Sequence, residues 1–228
     1  MLLNISKCSI VTFSRSDTPI LYHYNLNNQP LARCSKIKDL GVILASDLSC
    51  HDHINHISKK ANAALYFVIR TSRDIFSVRA LNILYVHLVR TILEYSSTVW
   101  NPYLVGHIDR LENIQNRFIR LIGLRLGFEY RNVPIDDLRV QFNLEPLHSR
   151  RIVHDLLFLK KLICSVIDAP DLLELLDFRA SRHLRHPQLF ARRHYTTQSK
   201  YSINENRQKY TGFMWLIIRS FGFADIGT

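Results

Sequence analysis

Arg110, Asn113, Arg117 and Arg120 have the types and spacing that best suit a definite chemistry. At 100° per residue they fall within an arc of roughly 80° on one helix face, opposite Ile108, Leu111, Ile114, Phe118, Leu121 and Ile122. A row of guanidinium groups can follow a phosphate backbone, because each offers a planar fork of donors to phosphate oxygens. The same row is compatible with an ordinary solvated face, partly neutralised by Asp109 and Glu112. Arg150 and Arg151 lie near the start of a later helix, where the dipole slightly disfavours cations. An anionic partner is therefore expected for them, either Asp155 one turn on or a phosphate.

Catalytic and metal constellations are harder to assemble. His51, His53 and His56 spread around a helix instead of converging, and no Cys or acid completes a ligand spacing. Asp136-Asp137 follows Pro134 and suits a helix start, where carboxylates complement the dipole. The seven glycines form no phosphate-binding loop, and there is neither G-x-S-x-G nor a Ser or Cys nucleophile with a recognisable base. Residue by residue, no active site emerges.

The elements that must position these residues change character near residue 49. Before it, 8–13, 20–26, 30–34 and 39–44 have the short apolar alternation of strands, with Asn27-Asn28 as a hairpin turn. After it the period becomes 3.6. Ile54, Ile57, Ala61, Ala64, Leu65 and Val68 form one helical stripe, with Lys59, Lys60 and Arg70 off it. A second helix is expected over 77–96, apolar nearly all round, with Asn101-Pro102 closing it. A third spans about 107–122, a short one starts at Pro134, and another runs from 146 to 167. Beyond Pro170, order is expected for 172–178, and 214–223 has the composition of a closing helix or strand.

With 228 residues the chain suggests one or two globular units, large enough to fold without disulfides or metal. The formal charge of +11 favours a polyanionic partner, nucleic acid before membrane. Residues 1–100 carry eleven basic and six acidic side chains, 101–178 ten and eleven, and 179–228 nine and two. The last segment is thus the most basic, either a phosphate-clamping arm or a solvated tail. Cys8, Cys34, Cys50 and Cys164 are too widely spaced for a C-x-x-C site. Arg70, Arg90 and Arg219 interrupt the best apolar runs before they reach the ~18 residues of a membrane span. No basic, apolar leader opens the chain, so an intracellular location, nucleus or cytoplasm, is expected.

Several motifs go beyond such generic signals. Leu3-Asn4-Ile5-Ser6-Lys7-Cys8, Thr12-Phe13-Ser14-Arg15 and Lys38-Asp39-Leu40-Gly41-Val42 come first. Ile92-Leu93-Glu94-Tyr95-Ser96-Ser97, Val99-Trp100-Asn101-Pro102-Tyr103, and Arg110-Leu111-Glu112 with Gln115, Arg117, Phe118 and Arg120 follow. Leu144-Glu145-Pro146-Leu147, Arg150-Arg151, Asp155-Leu156 and Phe158-Leu159 complete the series. In this order and spacing, over about residues 3–180, the chain resembles the palm end and thumb of reverse transcriptases from non-LTR (LINE-like, jockey-type) retrotransposons. The resemblance fades after about residue 194.

The resemblance implies an α+β, mostly α fold: short N-terminal antiparallel strands from the end of a palm sheet, a helical thumb-like bundle and a basic tail. Its divisions fall at 1–48, 49–125, 126–180 and 181–228. In that family a Tyr-x-Asp-Asp hairpin and an earlier aspartate hold two Mg2+ ions, since in-line phosphoryl transfer needs metals on the attacking and leaving oxygens. Those acids precede the Leu-Asn-x-x-Lys segment with which this chain opens, and no Tyr-x-Asp-Asp occurs in it. The expectation is a truncated fragment without polymerase activity of its own and without a cofactor. RNA, DNA or RNA–DNA hybrid is the implied partner, held non-specifically through Lys59, Lys60, Arg110, Arg117, Arg120, Arg150 and Arg151. Lys7 would lie near an incoming triphosphate. The alternative is a stand-alone helical RNA-binding or protein-interaction module. Palm-like strands without their sheet neighbours would also favour self-association.

Overall fold

The structure, a computed structural model, describes residues 4–5, 8–14, 21–72, 76–174 and 176. Lys7, the basic tail from 181 and the apolar run 214–223 lie outside the described residues. Among the described residues the fold is mostly helical, with short strands first and helices after. That is the expected class.

Strand pairing is limited. β1 (Ser9–Ile10) pairs parallel with β4 (Ala32–Arg33), and between them lies the antiparallel hairpin β2 (Asn25–Leu26) and β3 (Gln29–Pro30). Asn27 and Asn28 turn that hairpin with φ of 49° and 60°, the left-handed pair that matches strand twist. The antiparallel expectation therefore fails for β1–β4. Parallel partners need a long connection, and residues 11–31 supply one. A second correction concerns 39–44, expected as one strand. It is the tip of a hairpin, β5 (Lys36–Asp39) and β6 (Val42–Ala45), turned by Leu40 and Gly41 at φ 44° and 87°. The left-handed Leu40 is held by Tyr95, whose Oη donates to the Leu40 carbonyl at 3.0 Å.

α1 (His51–Thr71) buries Ile54, Ile57, Ala61, Leu65 and Val68, the face its period predicts. α2 (Val78–Leu84) starts at Ser77, whose Oγ accepts from the Ala80 amide at 3.3 Å. It passes without a break into a π-helical segment, Tyr85–Arg90, and then into α3 (Thr91–Glu94). Leu81, Tyr85, Val89 and Leu93 recur every four residues and all are buried. On a pure α-helix each such step overshoots a turn by about 40°. The wider π turns take up that drift, keeping all four on the core side. The helix leaves at Tyr95, and Ser96 is left-handed (φ 52°), so the element expected over 77–96 ends before Asn101-Pro102. A separate turn, α4 (Ser97–Trp100), follows, tied back by the Trp100 indole N–H donating to the Tyr95 carbonyl at 2.8 Å.

α5 (Val105–Arg125) outlasts its expected end at Ile122. Its cap is Gly127, φ 91°, with the Phe128 amide donating to the Gly123 carbonyl and the Gly127 amide to Leu124. α6 (Ile135–Gln141), α7 (Leu147–Ile163) and α8 (Pro170–Glu174) complete the described chain. α7 stops short of the expected 167 because Ser165 turns left-handed (φ 55°) behind it. The core gathers Trp100, Tyr85, Phe118, Leu65 and Leu111, with Tyr85 stacked on Phe118 at 4.1 Å and 7°.

Candidate nucleic-acid interface

α1 and α5 lie side by side and run the same way. Arg110 donates to the Asn55 side-chain oxygen, and Arg117 Nη1 donates to Asn62 Oδ1 at 2.8 Å. Both pairs advance by seven residues, two helical turns or about 10.5 Å, so the helices keep register along the seam. Arg117 also reaches Tyr66 Oη at 3.4 Å and lies over the Tyr66 ring, 5.9 Å from its centroid. Lys59 and Arg70 are exposed on the same flank of α1 as Asn55, Asn62 and Tyr66. Lys60 is also exposed, 100° further round on the opposite flank beside Phe67, so it does not join the seam.

Arg120, one turn beyond Arg117, lies 5.7 Å from the Tyr130 ring centroid. Tyr130 belongs to the loop after α5, and two glycines bring it there. Gly127 reverses the chain, while Gly123 lets the loop press onto the helix, since a Cβ at 123 would stand 2.5 Å from Val133 Cγ1. Arg131, exposed, follows Tyr130. Among the described residues none of Arg110, Arg117 and Arg120 has a carboxylate within ion-pair distance. Neutral amides and aromatic rings orient them instead, with no ion pair to a described carboxylate.

The other expected arginines are spent internally. Arg150 donates through both Nε and Nη2 to Glu94, the Nη2 bond at 3.1 Å, and this pairing raises its pKa. Arg151 has no exposed surface, and its Nε donates to Asn101 Oδ1 at 3.2 Å. Asn101 Nδ2 in turn donates to Asp155 Oδ2 at 2.7 Å. Burial pushes the Asp155 carboxyl up, opposed first by the Asn101 hydrogen bond, and pushes the Arg151 guanidinium down, opposed first by the charges of Glu112 and Glu94. The enclosed Arg151 side chain does not reach solvent, while Arg150 keeps a quarter of its side chain exposed and is engaged by Glu94. The anionic partner of Arg150 is Glu94, 56 residues away in sequence, whereas Arg151 bonds the neutral Asn101.

The histidines part company as their spacing suggests. His53 is buried against Trp100, rings 5.0 Å apart, and its Nδ1 accepts from the Ile43 amide at 3.2 Å. Burial first, then the charges of His56 and Lys38, lowers its pKa from 6.5 to about 4. His51 lies 5.2 Å from the His107 ring instead.

Sequence reasoning missed what the motifs do for one another. The Glu112 carboxylate accepts from the His148 amide at 2.7 Å, capping α7, and Gln115 Nε2 donates to the Glu145 carbonyl at 2.9 Å. Thus Arg110-Leu111-Glu112 with Gln115 clamps Leu144-Glu145-Pro146-Leu147. Glu94 and Asn101 clamp Arg150, Arg151 and Asp155, and Tyr95 clamps Leu40-Gly41. Tyr66, Arg70, Tyr130 and Arg131 also went unselected. Only the spacing of Lys59, Tyr66 and Arg70, seven and four residues, was a visible signal for them.

No protein-family model matches the chain, and no solved structure matches it. Over 124 residues it is 27% identical to a Drosophila melanogaster protein named "Probable RNA-directed DNA polymerase from transposon X-element". The alignment covers 53% of this chain and 13% of that protein, so the chain spans about an eighth of its relative's length. The similarity supports a reverse-transcriptase-related region. Among the described residues no helix is long and apolar enough to cross a membrane.

Proposed function

We propose that this chain is the palm-end and thumb portion of a retrotransposon RNA-directed DNA polymerase, and that it grips nucleic-acid backbone without sequence preference and without catalysing polymerisation itself. The observation carrying this reading is the row Arg110, Arg117 and Arg120 along the α1–α5 seam, without a carboxylate partner among the described residues, while Arg150 is paired with Glu94. Guanidinium groups pre-oriented by Asn and Tyr lose little freedom on meeting phosphate oxygens and read no base edge. In a complete polymerase the two Mg2+ ions would be held by acids outside this segment.

Fluorescence anisotropy of the full chain on a labelled RNA–DNA primer–template, titrated with salt, tests the grip. Each arginine that neutralises a phosphate contributes roughly 0.7–0.9 to the slope of log affinity against log salt. Changing Arg110, Arg117 and Arg120 to Ala should flatten the slope by about two units or more. An unchanged slope overturns the assignment. A protein-interaction module is the second reading, favoured by Val153, Leu156 and Leu157, which α7 leaves about half exposed.

A further inference from the structure

Tyr66 and Tyr130 are 57% and 58% exposed although aromatic side chains are costly to leave in water. Each is held beside an arginine of the row, Tyr66 by Arg117 and Tyr130 by Arg120. The two arginines are one turn apart on a single rigid helix, and their tyrosines come from different elements. The arrangement thus repeats, with a cation for the backbone and a flat ring beside it. Asn62 helps to fix Arg117, and the Gly123–Val133 contact fixes the loop that carries Tyr130.

We infer that Tyr66 and Tyr130 form a stacking platform for unpaired bases, so that the seam takes single-stranded nucleic acid in preference to duplex. The inference rests on the backbone grip proposed above and names the form of strand that grip receives. In a duplex the base faces are already covered by their neighbours, and an outward-facing ring can add nothing except at an end. On a single strand every base offers a π face, which makes stacking indifferent to sequence, as the arginines are. Arg117 and Arg120 would hold phosphates while the tyrosine rings take the bases between them.

The test uses the full chain with a single-stranded oligonucleotide containing 2-aminopurine and a blunt duplex of equal length, at one salt concentration. Tighter binding of the single strand is expected, with 2-aminopurine fluorescence changing as the base stacks. Tyr66→Ala and Tyr130→Ala should each weaken single-strand binding by roughly tenfold and leave duplex binding nearly unchanged. Tyr66→Phe and Tyr130→Phe should keep both the affinity and the fluorescence change. Both tyrosines are exposed, and unaltered thermal unfolding of each variant excludes a folding defect. Equal binding of both forms with no effect of the alanine variants overturns the platform. Phenylalanine variants as weak as the alanine ones overturn it too, by assigning the hydroxyls to phosphates. If binding depends on Arg110, Arg117 and Arg120 but not on the tyrosines, only the platform falls. If it is indifferent to the arginines, the backbone grip falls.

Discussion

At the residue scale, His53 is a base with no room for a second proton. Its Nδ1 accepts a backbone amide and its ring lies on Trp100, so the neutral form is the one the fold accommodates. The folded-state pKa is depressed to about 4 from 6.5. The unfolded chain therefore binds the proton first, and stability is fully present above about pH 6.5 and falls as pH drops towards 4. Between pH 7.5 and pH 5 this one group should cost about 2 kcal/mol of unfolding free energy, measurable by urea titration. His53→Gln should remove that portion of the pH dependence, and a variant with the wild-type slope would clear His53 of the role. The sequence made the three histidines legible as non-convergent, but not this burial. The groups that enclose His53 come from a hairpin expected as a strand and from the separate turn α4, which lies beyond the helix expected over 77–96. Likewise, Arg150 and Arg151 announced a need for anions, while the identity of Glu94 depended on chain packing across 56 residues.

At the scale of elements, helix faces were the most legible part, because burial on one side imposes a period that survives in the residues themselves. The stripe from Ile54 to Val68 and the arginine row on α5 both appear where the period puts them. Turns were less legible. Asp39-Leu40-Gly41 looks like strand because Leu is rarely left-handed, and the carbonyl contact from Tyr95 that holds it there is remote in sequence. Gly123 lies just past the helix end expected at about 122, whereas it is a packing glycine inside α5. Gly123→Ala should lower stability by about 1–3 kcal/mol through its clash with Val133. Adding Val133→Ala should return part of that loss in a double-mutant cycle of thermal unfolding, and strictly additive effects would contradict the contact.

For the molecule as a whole, stability is unevenly spread. Of the described residues up to 45, only Val42 and Ala45 are buried apolar residues, whereas α1, α2, α5 and the π-helical segment supply most of the core. Few buried contacts mean low-cost local opening. Amide hydrogen exchange should therefore be faster by at least tenfold in residues 21–41 than in buried stretches of 54–122, and equal protection would show that the strands share the helical core's stability. The charge of +11 made a polyanion legible from composition, yet composition could not tell the arginines that face solvent from those locked inside. That distinction comes only from the parallel seam of α1 and α5 and from the packing of α7 on α4.

The junction of Asn101, Arg151 and Asp155 joins the exit of α4 to α7 through side chains some fifty residues apart in sequence. In terms of information, these letters work as a checksum on folding. They record that distant helices have met correctly, and they hold no message about what chemistry is performed elsewhere. Such a junction speaks for a scaffold, and activity has to be established from other residues.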